Sequence, residues 1–265
     1  MRVRSLLTAL GLNAVPALGW FVGDWSAGTM LLLYWLETLV GTVLVAARII
    51  LHRRLRPSKG HWDYRAPQTQ APSSGGRSTY LSAFLVPALA FTFVHGIFLV
   101  ALGAMMIKNQ HSPEARIEIQ PLLAGLLGIT VLQIVDFGFD LVWLRTQPFA
   151  WIEKLGQLTF ARVIVIQFTI MGGMAAVMFT GTNRNFFGVF IFLKTLLNCS
   201  LVLPQYKPRT PPPWLASLMD RVPSKLHKGT NFAQFWKQED DEEAARLARN
   251  EKALANADVG LRNAE

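Results

Sequence analysis

The chain has 265 residues, of which 51% are hydrophobic and 16% are charged, and its formal net charge is +9. An average soluble domain carries about 25% charged residues, and here the apolar residues collect in long runs. This composition excludes a chain that is disordered throughout, and a single cysteine, Cys199, excludes a disulfide-stabilised scaffold. The long apolar runs predict an integral membrane protein.

Six segments are candidate transmembrane helices, because about 20 apolar residues are needed to cross a hydrocarbon core of about 30 Å. A helix satisfies its own backbone hydrogen bonds in lipid, so each run predicts a helix. The first segment could also be a signal peptide, but the lack of a clean small-residue cleavage site favours a retained span. The six segments are Leu6–Val22, Ala27–Ile50, Leu81–Ile107, Pro121–Leu144, Val163–Thr180 and Phe186–Leu203.

The positions of the basic residues predict the orientation of these spans. If the tail is left aside, twelve Lys and Arg residues lie on the side of the N-terminus and three lie on the opposite side. Because loops rich in Lys and Arg stay in the cytoplasm, we expect both termini to be cytoplasmic. The positive net charge is therefore a topology signal, and no nucleic-acid recognition motif accompanies it.

Two segments outside the spans are predicted to be soluble. The loop His52–Thr79 is basic and then rich in Pro, Ser and Gly, which is typical of a flexible cytoplasmic loop. In the tail, residues 204–265, Trp214–Val222 is predicted to be a short amphipathic piece at the membrane surface. A charged helix is predicted to begin in the acidic block Glu239–Glu243 and to run to about Ala257. Its apolar face is mostly alanine, so this helix is either solvated or docks on a partner.

Eight polar side chains within the spans, or at their ends, form a candidate intramembrane polar cluster. An ionised side chain at the bilayer centre costs about 2.5–3.5 kcal/mol on insertion scales, so such residues often mark a functional site. The eight residues are Glu37, His95, Asp136, Asp140, Arg162, Gln167, Lys194 and Asn198.

Depth in the bilayer sorts part of this cluster into candidate pairs. At a rise of about 1.5 Å per residue, Glu37 lies about 15 Å and Lys194 about 12 Å from the outer ends of their spans. The two side chains share a level and would neutralise each other. His95 and Asp136 are also close enough in depth to form a hydrogen bond.

A further pair is predicted at the inner interface, where Asp140 and Arg162 lie on spans joined by one loop. Asp136 and Asp140 are four residues apart and therefore lie on one helical face. Two bare carboxylates there would repel each other, so a proton, a cation or a basic partner must relieve the repulsion.

Three interpretations of the polar cluster are open. The charges can fix helix packing, or they can form a proton-coupled or ion-coupled path or a polar substrate pocket. In the third interpretation, Glu37, His95 and Asp136 form a metal or hydrolytic site. This last interpretation has the least support, because the sequence has no two-histidine motif such as H-E-x-x-H, no P-loop and no G-x-S-x-G. We therefore predict no metal and no cofactor.

Six short motifs are spread along the spans: Asn13-x-x-Pro16, Trp25-Ser26, Tyr34-Trp35-Leu36-Glu37, Phe93-Val94-His95-Gly96, Arg162-Val163-Ile164 and Leu193-Lys194-Thr195. With these motifs, the chain resembles a family of uncharacterised prokaryotic membrane proteins, domain of unknown function 6498, over most of Leu6–Leu203. In that family a His is common at the position of Gln167 and an Asp at the position of Asn198. Both departures argue against a metal site or a proton relay. The resemblance implies a membrane architecture and no known activity.

Taken together, these features predict an all-α integral membrane bundle of six transmembrane helices at residues 1–203, with both termini cytoplasmic, followed by a cytoplasmic tail. We expect it in the inner (plasma) membrane of a prokaryote. The predicted function is non-enzymatic, as a membrane subunit or a transporter-like protein. The alternative is an intramembrane metal-dependent or hydrolytic enzyme acting on a lipid-like substrate. The expected partners are the lipid bilayer and, through the tail, other membrane proteins, but no nucleic acid.

Overall fold

The computed structural model describes residues 2–67, 78–108, 116–161, 164, 183–202, 208, 210–221 and 231–254. Over these residues the chain forms helices joined by short connections, with a 3₁₀ turn at Lys59–His61. The described part contains no strand, only an isolated bridge between Ser58 and Ala253, so the all-α fold class is confirmed for it. The helices are α1 (Arg2–Phe21), α2 (Ala27–Leu55), α3 (Tyr80–Lys108), α4 (Ile119–Leu144), α5 (described over 149–161), α6 (Asn183–Val202), α7 (Pro213–Asp220) and α8 (Phe232–Glu251).

Among the described residues, three helical segments are long and apolar enough to cross a membrane: Ala27–Leu55, Tyr80–Ala101 and Ile119–Leu144. They correspond to the second, third and fourth predicted spans. Shorter apolar helical segments, Leu6–Phe21 and Gly188–Ser200, correspond to the first and the sixth. The fifth predicted span, Val163–Thr180, lies outside the described residues except for Ile164. Six spans therefore stay a prediction.

Large apolar side chains on α3 and α4 point away from the rest of the bundle. Phe93 and Val100 on α3 are 68% and 74% exposed, and Leu127 and Val142 on α4 are 66% and 72% exposed. Burying apolar surface stabilises a protein by about 25 cal/mol per Å², and this stabilisation is lost where the surface stays in contact with water. Lipid chains can cover such an apolar surface. The exposed apolar side chains of these long helices therefore agree with the membrane protein that the composition predicts.

Helix α1 runs without a break through Asn13 and Pro16, although a polar side chain and a proline are unfavourable inside an apolar helix. The side-chain amide of Asn13 donates to the carbonyl oxygen of Ala9 at 2.6 Å, so its polar group is satisfied inside the helix. Pro16 lacks an N–H group, but its fixed φ of about −65° is a helical value. The first apolar segment is therefore one continuous helix.

The indole ring of Trp25 packs against α1 and α4 where two glycines leave room for it. A Cβ atom at Gly19 would overlap the indole ring, and a Cβ at Gly125 would approach it to 2.9 Å. Asp24, in the turn before Trp25, has a positive φ of 48°, a conformation that Asp adopts more readily than most residues. This turn brings the start of α2 against α1 and α4.

Helix α2 is the element on which the polar residues of the bundle are arranged. It packs on α4, and α1 packs on both α4 and α6. Between α2 and α6, the rings of Tyr34 and Phe190 meet edge to face with their centroids 4.9 Å apart. Between α2 and α4, the fully buried side chains of Leu33 and Ile129 belong to one apolar cluster. These contacts bring the interior faces of α2, α4 and α6 together.

The chain divides into two compact units. The first comprises Met1–Arg56 and Leu81–Leu203, which hold α1 to α6 apart from the first residue of α3. The second comprises Pro57–Tyr80 and Pro204–Glu265, so it joins the loop between α2 and α3 to the tail. The predicted division at Leu203 placed that loop with the membrane domain, because residues far apart in sequence gave no sign of contact.

Within the second unit, α8 holds the loop by hydrogen bonds to its backbone. The buried amide of Asn250 donates to the carbonyl oxygen of Arg65 at 2.9 Å and accepts from the backbone N–H of Arg65 at 3.2 Å. Arg246 donates to the same carbonyl at 2.8 Å, and Arg249 forms a 2.8 Å ion pair with Asp63. The described part of the loop is therefore held by α8, although its composition is typical of a flexible linker.

Helix α8 starts and ends earlier than the sequence analysis expects. The side chain of Asn231 caps it by accepting a hydrogen bond from the backbone N–H of Gln234 at 2.8 Å. The rings of Phe232 and Trp236 lie 5.8 Å apart in its first turns, before the acidic block in which the start was predicted. The helix ends at Glu251. Its apolar face therefore includes aromatic residues as well as alanine.

Asn250→Ala is expected to loosen the loop without affecting the bundle. The change removes both hydrogen bonds to Arg65, and buried polar groups left unpaired cost about 1–3 kcal/mol, so amide exchange in residues 57–67 should rise roughly tenfold. Hydrogen-exchange mass spectrometry of the purified protein measures it. Gln238→Ala is the matched control, because Gln238 is exposed on the same helix. Equal exchange in both variants would contradict the prediction.

Candidate functional site

The best-formed polar contact inside the bundle joins Glu37 of α2 to Lys194 of α6. The Lys194 ammonium lies 2.7 Å from Oε2 of Glu37, and the two side chains are 2% and 12% exposed. The ammonium also lies over the ring of Tyr34, 4.2 Å from its centroid. The predicted Glu37–Lys194 pair is thereby confirmed, and each charge has a partner where solvent is nearly absent.

The two aspartates of α4 share one basic partner, Arg48 of α2. Nε of Arg48 lies 2.9 Å from Oδ2 of Asp140, and Nη2 lies 3.3 Å from Oδ2 of Asp136. The guanidinium carbon lies 4.9 Å from the ring centroid of Phe137. Thr8 of α1 adds a hydroxyl donor to Oδ1 of Asp136 at 3.4 Å. Of the three ways to relieve the carboxylate repulsion, the structure shows the basic partner.

Two further members of the polar cluster are buried. Asn198 of α6 is 8% exposed and donates to Oδ1 of Asn13 in α1 at 3.4 Å, so an amide pair joins these helices. His95 of α3 is 6% exposed. A hydrogen bond between His95 and Asp136 stays a prediction.

Arg162 and Gln167 lie outside the described residues. The predicted pair between Asp140 and Arg162 is therefore untested, whereas Asp140 itself is bound by Arg48. Six of the eight residues of the polar cluster can be placed.

A cavity of about 120 Å³ opens among α1, α2, α4, α5 and α6. Water takes up about 30 Å³ per molecule in the liquid, so this space suffices for a few waters or one small solute. The cavity reaches both ion pairs, which therefore line one space. Its polar lining consists of Thr8, Glu37, Thr38, Arg48, Gln133, Asp136, Thr159, Lys194 and Asn198.

Metal chemistry finds no support in this arrangement. No three His, Cys, Asp or Glu side chains come together within the residues that the structure describes, and Glu37, His95 and Asp136 are all among them. In the described structure these three residues therefore do not come together as the metal-binding group considered from the sequence. The carboxylates of Glu37 and Asp136 are held by Lys194 and Arg48 instead.

Sequence reasoning missed Arg48, Gln133 and Asn13 as parts of the site. Arg48 is one of the twelve basic residues that the topology prediction counts on the side of the N-terminus. Eleven residues separate it from Glu37, which is about three turns of helix, so both lie on one face of α2. Gln133 lies three residues before Asp136 on α4, and its Nε2 donates to the carbonyl oxygen of Glu37 at 3.2 Å. Helical spacing from the known charges would have found both.

Comparison with known proteins places the chain in a family and offers no characterised relative. No curated protein and no solved structure matches the chain. Residues 1–213 match a family of unknown function, DUF6498. That stretch includes α1 to α6 and every residue of the polar cluster, in agreement with the resemblance seen in the motifs. The chain is a member of the family of unknown function DUF6498.

Proposed function

We propose that the chain is a six-span integral protein of a prokaryotic inner membrane, with both termini cytoplasmic, and that it acts as a non-enzymatic, transporter-like protein or membrane subunit. In this proposal the cavity between the two ion pairs is part of a path for a small polar solute. The basic residues concentrated on one side of the spans support the orientation.

One observation carries the proposal: the cavity is lined by both ion pairs and by uncharged polar side chains inside helices that are apolar on the outside. Charges that serve helix packing alone are best buried without free space beside them, because a void forfeits van der Waals contacts. Binding sites of membrane transporters lie near the middle of the bilayer, and Thr38 and Gly41 lie near the middle of α2. The geometry therefore favours a path over a sealed pair.

Thiol labelling in membranes tests the path. Cys199 is the chain's single cysteine, so Cys199→Ser provides a cysteine-free background. Thr38→Cys then places a thiol of similar size in the cavity lining, and we expect it to react with a membrane-impermeant thiosulfonate. Val142→Cys is the control. Val142 lies exposed on the face of α4 that points away from the bundle, where lipid should keep the thiol unreactive. If Thr38→Cys is as inert as Val142→Cys, the cavity is sealed and the proposed path is refuted.

The same cysteine-free background tests the orientation. Gln120→Cys lies between the third and fourth predicted spans, which the proposed topology places outside, and it should react in intact cells. Lys225→Cys, in the tail, should react only after the membrane is permeabilised. The reverse pattern would overturn the proposed topology.

A further inference from the structure

We propose that the cavity binds one small monovalent cation, an alkali ion or an ammonium group, through oxygen atoms near Thr38 and Gln133. The proposal deepens the proposed function, because it names the class of species that the path takes. It rests on three features of the cavity lining. The threonine hydroxyl groups already donate their protons, and the two basic side chains are already paired with carboxylates. The side-chain oxygen of Gln133 has no hydrogen-bond partner in the described structure.

The threonine hydroxyl groups of the cavity lining already donate their hydrogen bonds to other acceptors. Thr38 and Thr159 each donate to a carbonyl oxygen one turn earlier in their own helix, at 3.0 and 2.9 Å. Thr8 donates to Asp136 at 3.4 Å. A hydroxyl group has one proton and two lone pairs, so these three oxygens remain as acceptors. The uncharged part of the lining therefore suits a species that donates hydrogen bonds or carries positive charge.

The basic side chains of the lining are already neutralised by carboxylates. Lys194 lies 2.7 Å from Glu37, and Arg48 lies 2.9 Å from Asp140 and 3.3 Å from Asp136. An anionic solute would have to displace a carboxylate from one of these pairs. A cation does not have to displace either basic side chain, because a carboxylate has about four lone-pair sites and can accept from more than one partner.

The side-chain amide of Gln133 supplies a buried acceptor atom. Its Oε1 atom is buried and has no hydrogen-bond partner within the described structure. The amide orientation is fixed, because Nε2 donates to the carbonyl oxygen of Glu37 and a flipped amide would set two oxygens against each other. A buried acceptor left unmet is destabilising, so a donor or a cation is expected beside it. Gly41 faces Oε1 and leaves that space open.

The coordination chemistry favours a monovalent over a divalent ion. Divalent ions are held mainly by several charged or imidazole ligands, and no group of three His, Cys, Asp or Glu occurs in the described ranges. Neutral carbonyl and hydroxyl oxygens suffice for monovalent cations, as in the carbonyl-lined filters of potassium channels. The cavity volume of about 120 Å³ accommodates such an ion together with some water.

Thermal unfolding of the purified full-length protein in detergent tests the proposal. Melting temperatures are compared in NaCl, KCl and NH₄Cl, with N-methylglucamine chloride as the reference cation, at equal ionic strength and pH. N-methylglucamine is too large for the cavity. At a tenfold excess over its dissociation constant, the bound cation should raise the melting temperature by roughly 3–5 °C. The three salts distinguish an alkali ion from an ammonium group.

Two variants and one control locate the effect. Gln133→Met removes the acceptor, and Gly41→Ala places a methyl group 3.7 Å from Oε1, an ordinary contact that occupies the space. Both should lose the difference between salts. Gly138→Ala, a helical glycine of α4 with no atom within 4 Å of the added Cβ, should keep it. Because each variant is compared with itself in several salts, an overall loss of stability does not mimic the result.

Two results would overturn the proposal. Equal melting temperatures in all four salts would mean that the cavity holds water only. A salt difference that survives in Gln133→Met would mean that the cation binds elsewhere. A salt difference that is lost in Gln133→Met, found together with an inert thiol at position 38, would support the cation site and refute the solute path, so the two proposals fail separately.

Discussion

Glu37→Gln and Lys194→Met are each expected to destabilise the protein by about 3–5 kcal/mol, because either change leaves the other charge buried without its counterion. The ammonium and the carboxylate are 2.7 Å apart, and both side chains are nearly inaccessible. Chemical unfolding of the purified variants in mixed micelles measures the free energy of unfolding. A loss of this size is a large part of the stability of an ordinary domain, which is about 5–15 kcal/mol.

The double variant Glu37→Gln with Lys194→Met separates a true pair from two independent sites. Two neutral side chains need no counterion, so the double variant should recover much of the stability lost in the single variants. Lys194 also contacts the Tyr34 ring, which the methionine side chain can still cover. Strictly additive losses would contradict the pairing.

Arg48→Met is expected to destabilise the protein by at least as much, about 3–5 kcal/mol, because it leaves two carboxylates without their shared basic partner. Asp136 and Asp140 lie one turn apart on α4 and both contact the guanidinium. Arg48→Lys should restore part of the loss. A lysine keeps the charge, but it lacks the planar fork that reaches two carboxylates at once. The same unfolding experiment measures these losses.

Matched variants make the Arg48 result specific. Asp136→Asn with Asp140→Asn, added to Arg48→Met, should recover stability, because no uncompensated carboxylate remains. Arg145→Met is the control, since Arg145 lies exposed at the end of α4, five residues beyond Asp140. If the loss in Arg48→Met is no larger than in Arg145→Met, the ion pairs of Arg48 contribute nothing measurable.

The long apolar helices were predictable because their signal is local. Hydropathy and length over some 20 consecutive residues decide whether a segment can satisfy its backbone and remain apolar. This reasoning found the segments that form α2, α3 and α4, with ends within a few residues of those observed. Asn13 does not interrupt α1, because its side-chain amide donates to the carbonyl oxygen of Ala9 within the same helix.

The site was partly predictable. Depth along the spans identified Glu37 with Lys194, because a cation and an anion at one level in lipid have a strong reason to meet. Depth predicted Arg162 as the partner of Asp140 and missed Arg48, which lies toward the inner end of its own span. The contact with Arg48 depends on the packing of α2 against α4, which depth along a single span does not specify.

By itself, the sequence determined that this protein is helical, apolar in long segments and charged at a few interior positions, because these properties follow from neighbouring residues. Only the tertiary structure decided that two ion pairs share one cavity and that Gln133 turns its carbonyl oxygen toward Gly41. It also decided that α8 holds the loop at Arg65. Such contacts depend on the rotation and arrangement of helices about one another, which residue spacing along a single helix does not specify.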